Sequence, residues 1–431
     1  MSEALSVFLN RTPLGRITFE GKEDLYDLEY AQSWLDGAGY PISPHLKPGE
    51  CESERVKRFL SNLLPEGKWL EELSVGNQIS KSNIFGLVAL IGSETTGALT
   101  FQYDGAAQKP WPTQFREVSA EELTERIAHR HQVSIAQWDG KPRLSVAGVQ
   151  DKLPIMIRPN GVMGFGEGEL ASTHILKFGR RPDMHMIINE FICMRLAYWI
   201  KLPVAKVSLV RFGEPVLAVE RFDRRWNAGK VERLHVIDGC QILDLPPTYK
   251  YERPFGKSGE GAKIRTGASL PRLFEACQFC RVPARAIRDL LNWALFQLLI
   301  GNSDAHAKNI SYFIDNTGID VAPGYDLLNI DIYGDEFERD LAMAIGDEFG
   351  AEKIMPYDLA LFCDECNLPQ RQVAISLKNL CKAVLGNLDR LPTQDIQGEE
   401  EMCFAHDLIR LIKSRAERFL EIAKELPQVK L

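Results

Sequence analysis

Residues 290–300, LLNWALFQLLI, form an apolar run of helical length that breaks off into the polar sequence GNSDAHAKN at 301–309. A helix that is apolar nearly all round has to be buried, so this chain must build a core that surrounds it. Gly301 alone is enough to stop such a helix. The Asp, His, Lys and Asn that follow it are therefore surplus to termination and ask for a chemical reason.

The patterning upstream and downstream of this point differs. LSVFLN, LGRITFE, KLPIMI, VMGFG, STHILKFG and PVLAVERFD alternate with period two or carry turn residues between apolar segments, and predict strands. PNG at 159–161 predicts a hairpin turn. MHMIINEFICMRLAYWIKL, lying among these strands, predicts a buried helix. After about residue 234 helical spacing dominates, in ARAIRDLLNWALFQLLI, PYDLALFCDECNL, RQVAISLKNLCKAVLGNL and DLIRLIKSRAERFLEIAKEL. ESERVKRFLSNLL predicts a helix in the first hundred residues, and Ser119 with Glu122 predicts a capping box.

The glycine- and proline-bearing stretch 103–118 reads as a linker, and 253–269 as a flexible basic loop. The expected organisation is a mixed N-terminal subdomain at 1–110, a strand-rich lobe at 111–225 and a helical lobe at 226–431.

A chain of 431 residues exceeds one ordinary core. Its net charge of -8 argues against a surface that coats nucleic acid by itself. No apolar run approaches the length of a membrane span, and MSEALSVFLNRTPLG lacks the layout of a signal peptide, so a cytoplasmic protein with no membrane partner is expected. Nine cysteines on a long chain suit a reducing compartment. Cys277/Cys280 and Cys363/Cys366 are spaced like zinc ligands but lie on apolar helix faces, and read as buried thiols. Gly256-Lys257-Ser258 hints at a phosphate loop, yet Tyr251 stands where that motif requires glycine.

Asp304 and Asn309 share the D-x-x-x-x-N spacing of a protein-kinase catalytic loop, in which the Asp takes the acceptor hydroxyl's proton and the Asn holds magnesium. Lys308 and His306 between them are placed to meet phosphoryl charge. Further parts follow in kinase order. Asp326 ends a short hairpin and is the expected second metal carboxylate; SVAGVQDK at 145–152 is a small-residue turn whose amides suit phosphate oxygens. Lys177 lies on a strand and Glu190 within an apolar helix, a pair whose burial is explained by mutual pairing. LAVERFDR stands where the two lobes meet.

SVAGVQDK, THILKFG with the later NEF, AVERFDR and GNSDAHAKN with YD, together with LLPEG at 63–67, resemble the HipA family of bacterial serine/threonine kinase toxins over nearly the whole chain. The resemblance implies an α+β, bilobed protein-kinase-like fold, with an extra N-terminal subdomain, a strand-rich N-terminal lobe and an all-helical C-terminal lobe. It implies Asp304 as catalytic base, Asn309 and Asp326 as Mg2+ ligands, and Lys177 as a contact to ATP phosphates. Ala147, Gly148, Val149, Gln150, Asp151 and Lys152 would line the phosphates, and Glu220, Arg221 and Phe222 the adenine. His306, Ala307, Lys308, Asn309, Tyr325 and Asp326 would complete the site, and Ser145 would be autophosphorylated, shutting the enzyme off.

The implied partners are a HipB-like helix-turn-helix antitoxin, operator DNA mainly through that antitoxin, and an aminoacyl-tRNA synthetase as substrate, most typically the glutamyl enzyme. A nucleotide-binding corepressor with residual catalysis and a small-molecule phosphotransferase are the alternatives; the intact Asp304, Asn309 and Asp326 favour the kinase.

Overall fold

The computed structural model describes residues 2–37, 39–92, 95–104, 113–135, 137–143, 151–179, 181–390 and 395–431. The chain parts into two compact units, the first comprising Met1–Arg180, Val210–Ile237 and Tyr312–Ile319, the second Arg181–Leu209, Asp238–Ser311 and Asp320–Leu431.

The first unit holds two sheets. One is a four-stranded antiparallel sheet in the order Leu25–Tyr30, Thr12–Glu20, Ser2–Leu9, Leu99–Tyr103. The helix Ser53–Leu63 turns Val56, Phe59, Leu60 and Leu63 inward against it, as its i, i+3, i+4, i+7 spacing requires.

The other sheet has six strands, in the order Val207–Arg211, Pro215–Glu220, His174–Phe178, Lys152–Ile157, Met163–Glu167, Gln114–Glu117. The expected hairpin turn is present, with Gly161 at φ +85° and open space where a Cβ would project, a conformation glycine adopts without strain. Trp138, Leu153, Ile155, Leu176, Phe178 and Val216 form the core of this sheet.

Two local expectations are modified. Gln114–Glu117 lies inside the stretch read as a linker but pairs antiparallel with Met163–Glu167; it is a short edge strand whose upstream glycine and prolines hide its alternation. Ser119 does cap Ala120–Ala128, its Oγ accepting from Glu122 N at 3.1 Å. Glu122 in turn takes the Arg116 guanidinium at 2.5 and 2.7 Å.

The second unit packs the helices Met186–Trp199, Pro283–Ile300, Pro356–Glu365, Gln370–Leu385 and Glu399–Glu425. Three glutamates open the last of these and Lys424 lies in its final turn, each end matching the helix dipole. The unit is helix-rich rather than all-helical: Asp340–Ile345 pairs with Glu348–Gly350 across a turn with Gly346 at φ +60°.

The stretch 253–269 is tied down rather than free, since Arg253 bonds Asp340, Lys257 Nζ donates to Asp340 O at 2.8 Å, and Arg265 reaches Glu252 and Asp347. Cys277, Cys280, Cys363 and Cys366 are buried free thiols, their pKa values raised by that burial. Among the described residues no helix is long and apolar enough to cross a membrane.

Candidate active site

The helix Pro283–Ile300 ends at Gly301, whose left-handed φ of +72° turns the chain back so that Asn302 N donates to Gln297 O at 3.0 Å. Asn302 then acts as a knot. Its Nδ2 donates to Gln297 Oε1 at 2.9 Å and to Asp326 O at 3.2 Å, while its Oδ1 accepts from Asp304 N at 3.1 Å. One buried side chain thereby links the rigid helix to the backbones of both expected acidic residues.

From Asp304 the loop closes on itself. His306 N donates to Asp304 O at 2.8 Å, Asn309 N to His306 O at 2.9 Å, and Asn309 Nδ2 to Asp304 O at 3.0 Å. Because the amide nitrogen is spent on this bond, the Asn309 side-chain oxygen is left for another partner. The buried Lys308 Nζ donates to Oδ2 of the half-buried Asp238 at 2.6 Å, and Tyr325 Oη donates to Lys308 O at 2.7 Å. Ala307 is fully buried, and Gly239 lies against its carbonyl so closely that a Cβ would stand 2.3 Å away.

The electrostatics follow from this enclosure. The Asp304 carboxylate is open to solvent on one side, yet the surrounding protein pushes its pKa above the ordinary value. The Tyr251 hydroxyl and the Lys250 and Lys257 ammoniums counter that rise, and the Asp326 charge adds to it. Tyr251 Oη donates to Asp304 Oδ1 at 2.7 Å. His306 is buried, with its pKa pushed down to about 3 by that burial and by Lys250 and Lys308. Its Nδ1 has no hydrogen-bond partner among the described residues.

Asp326 adopts φ +57°, a left-handed backbone that costs energy in a residue other than glycine and is held where a site needs a side chain aimed. Asp326, with the Asn309 amide oxygen, offers the hard oxygen donors that magnesium prefers. The Asp326 charge, near enough to raise the Asp304 pKa, also favours a cation between the two carboxylates.

In the first unit, Lys177 on His174–Phe178 stands directly opposite Lys152 on the neighbouring antiparallel strand. They are 8% and 5% exposed. Residues opposite one another point to the same face, so two ammonium stems enter one buried region, an arrangement suited to an anion. Asp151 is buried, and its carbonyl accepts from Phe178 N at 2.9 Å.

Arg221 is committed to Asp223 by bonds of 2.9 and 2.7 Å, and Arg224 joins the same carboxylate and the carbonyls of Thr95 and Gly97. The Asp223 pKa is held far below the usual carboxylate range by those arginines. Glu220 is exposed and Phe222 sits edge-on to Phe313 at 5.7 Å. Glu190, on Met186–Trp199 of the second unit, is 1% exposed. Ser145, Ala147, Gly148, Val149 and Gln150 lie outside the described residues.

Sequence reasoning missed Tyr251, Lys250, Lys257, Asn302 and Asp238. Asn302, inside the polar cluster itself, and Lys257, in the Gly-Lys-Ser tripeptide, carried signals that could have flagged them.

Residues 144–388 match the family model of the HipA-like C-terminal domain, and residues 5–102 that of the HipA N-terminal domain. The chain belongs to the HipA family. The serine/threonine-protein kinase toxin HipA of Shewanella oneidensis is 41% identical over 436 residues, spanning 99% of this chain and 98% of that protein. The putative kinase Y4mE of Sinorhizobium fredii is 34% identical over 359 residues, spanning 79% of this chain and 80% of its own. Among solved structures, HipA in the Shewanella oneidensis MR-1 complex of HipA, HipB and operator DNA superposes with a TM-score of 0.90 at 39% identity, covering 99% of this chain and all of that one. The HipA-family fold is thus the kinase-like α+β fold, and this member is a serine/threonine protein kinase.

Proposed function

We propose that this HipA-family kinase transfers the γ-phosphoryl group of Mg-ATP to a serine or threonine hydroxyl, with Asp304 as base and Asn309 and Asp326 as the magnesium ligands. The observation that carries the reading is the closed loop in which Asn309 Nδ2 bonds the Asp304 backbone, while Asn302 ties Asp304 and Asp326 to one helix end.

Asp304 accepts the proton as the acceptor oxygen attacks phosphorus and the bond to the departing ADP oxygen breaks. Magnesium, when bound, supplies charge neutralisation at the phosphates. Lys177, Lys152 and the amides of residues 147–151 contact the ATP phosphates; Glu220, Arg221 and Phe222 hold the adenine end, with Arg221 contributing backbone because its side chain is taken by Asp223. His306, Ala307, Lys308 and Tyr325 shape the loop around these groups, and Glu190 keeps the role of structural ion-pair residue that its burial suggests.

In this reading the protein is the toxin of a two-component module. It phosphorylates an aminoacyl-tRNA synthetase, the glutamyl enzyme first among candidates, and is shut off by phosphorylation of Ser145. A phosphate of nearly two negative charges on Ser145, close in sequence to the stretch assigned to ATP's own phosphates, would repel nucleotide. A HipB-like antitoxin restrains it, and the pair represses its operon on DNA; the relative's complex with HipB and operator DNA supports this partnership, and the net charge of -8 suits a division in which the antitoxin reads the DNA.

The test incubates the purified chain with labelled ATP, magnesium and glutamyl-tRNA synthetase. Label on the synthetase and on Ser145 is expected from wild type and from neither substrate with Asp304→Ala.

A further inference from the structure

We propose that Tyr251 is a positioning residue for the phosphotransfer step, holding the Asp304 carboxylate in its working orientation through the hydrogen bond from its hydroxyl to Oδ1. This rests on the reading of Asp304 as the base.

The tyrosine is held from several sides. Its backbone neighbours are pinned, with Ala307 N donating to Lys250 O at 3.1 Å and Glu252 N donating to Ala342 O at 2.9 Å. Gly267 lies so close that a Cβ there would stand 1.8 Å from Tyr251 O, so only glycine allows this approach. The ring meets the buried His306 edge-on, with centroids 5.2 Å apart and planes at 89°. The ammoniums of Lys250 and Lys257 lie 5.4 and 5.9 Å from the ring centroid, within cation–π range.

A carboxylate on a solvent-open loop has several rotamers available. A hydroxyl presented from a ring this fixed selects one of them and leaves Oδ2 for the acceptor hydroxyl, so that orientation is settled before substrate arrives. The same ring gathers two cations beside the base, which suits a step in which negative charge develops at a transferring group.

The experiment compares wild type, Tyr251→Phe and Asp304→Ala as full chains, with casein as acceptor and labelled ATP. Tyr251→Phe keeps the ring against His306 and removes only the hydroxyl. Its kcat is expected to fall about tenfold, the worth of one hydrogen bond to a charged group. Its KM for ATP, its affinity for Mg and a non-hydrolysable ATP analogue, and its Tm are expected to stay unchanged, a split that a merely structural role would not give. A crystal structure of the variant is expected to show Asp304 in a second rotamer.

Unchanged kcat with an unmoved Asp304 overturns the proposal, as does a parallel loss of kcat, nucleotide affinity and Tm. Full activity in Asp304→Ala would overturn the underlying assignment of the base instead, so the two failures are told apart.

Discussion

Asn309 donates its side-chain amide to the carbonyl of Asp304 at 3.0 Å, so the residue assigned to hold magnesium also fixes the backbone of the residue assigned to take the proton. Asn309→Ala removes the proposed metal ligand and a loop tie together. The magnesium concentration for half-maximal phosphorylation is expected to rise at least about tenfold. A magnesium titration of initial rates checks it, and an unchanged midpoint would place the ion elsewhere.

Lys308 sits in the kinase-like motif, but its ammonium is spent on Asp238, which also caps the short helix Gly239–Ile242 by accepting from Gln241 N at 2.9 Å. Lys308→Met leaves a half-buried carboxylate without its cation, a loss of about 1–3 kcal/mol. Denaturant unfolding of the full chain should show this as a lowered midpoint. A variant of wild-type stability that has lost only phosphate transfer would assign Lys308 to the substrate.

Gly239 is required by space rather than by dihedral, given the Ala307 carbonyl 2.3 Å from any Cβ. Gly239→Ala is expected to push the catalytic loop outward, lowering kcat while costing about 1–3 kcal/mol of stability. Wild-type kcat in this variant would show that the loop tolerates the shift.

His235 is buried in the first unit, donates Nε2 to Ile42 O at 2.8 Å, and has its pKa pushed down from 6.5 to about 4 by burial. Between those values the unfolded chain binds the proton and the folded one does not, so stability rises with pH across the window. The contribution is complete above about pH 6.5 and is lost as pH falls toward about 4, amounting to at most about 3 kcal/mol. Unfolding free energies from pH 4 to 7 measure it, and His235→Gln should flatten the slope. An equally steep slope in that variant would assign the effect to other groups.

What could be read in advance divides along the length over which a contact acts. Asp304, Asn309 and Asp326 could be singled out because one continuous segment carries them, and hydrogen bonds through Asn302 and Asn309 tie that segment together. The strands His174–Phe178 and Pro215–Glu220 were legible from period two, and Met186–Trp199 from its unbroken apolarity.

Tyr251 was not, because it reaches Asp304 across 53 positions and its own surroundings, a tyrosine before a glycine-rich stretch, look like any surface turn. The same holds for Asp238, whose local pattern announces only a cap, and for Arg224, whose partners at Thr95 and Gly97 lie in another segment. The pairing of Lys308 with Asp238 likewise redirects a lysine that sequence alone would aim at the phosphate.

Asp304 is proposed to carry the phosphotransfer, and the single-turnover rate of labelled phosphate transfer from Mg-ATP by wild type and Asp304→Ala, under matched, nucleotide-saturated conditions, decides it. The variant is expected to be slower by about a hundredfold to ten-thousandfold, with nucleotide affinity retained. An Asp304→Ala enzyme that transfers phosphate at the wild-type rate would contradict it.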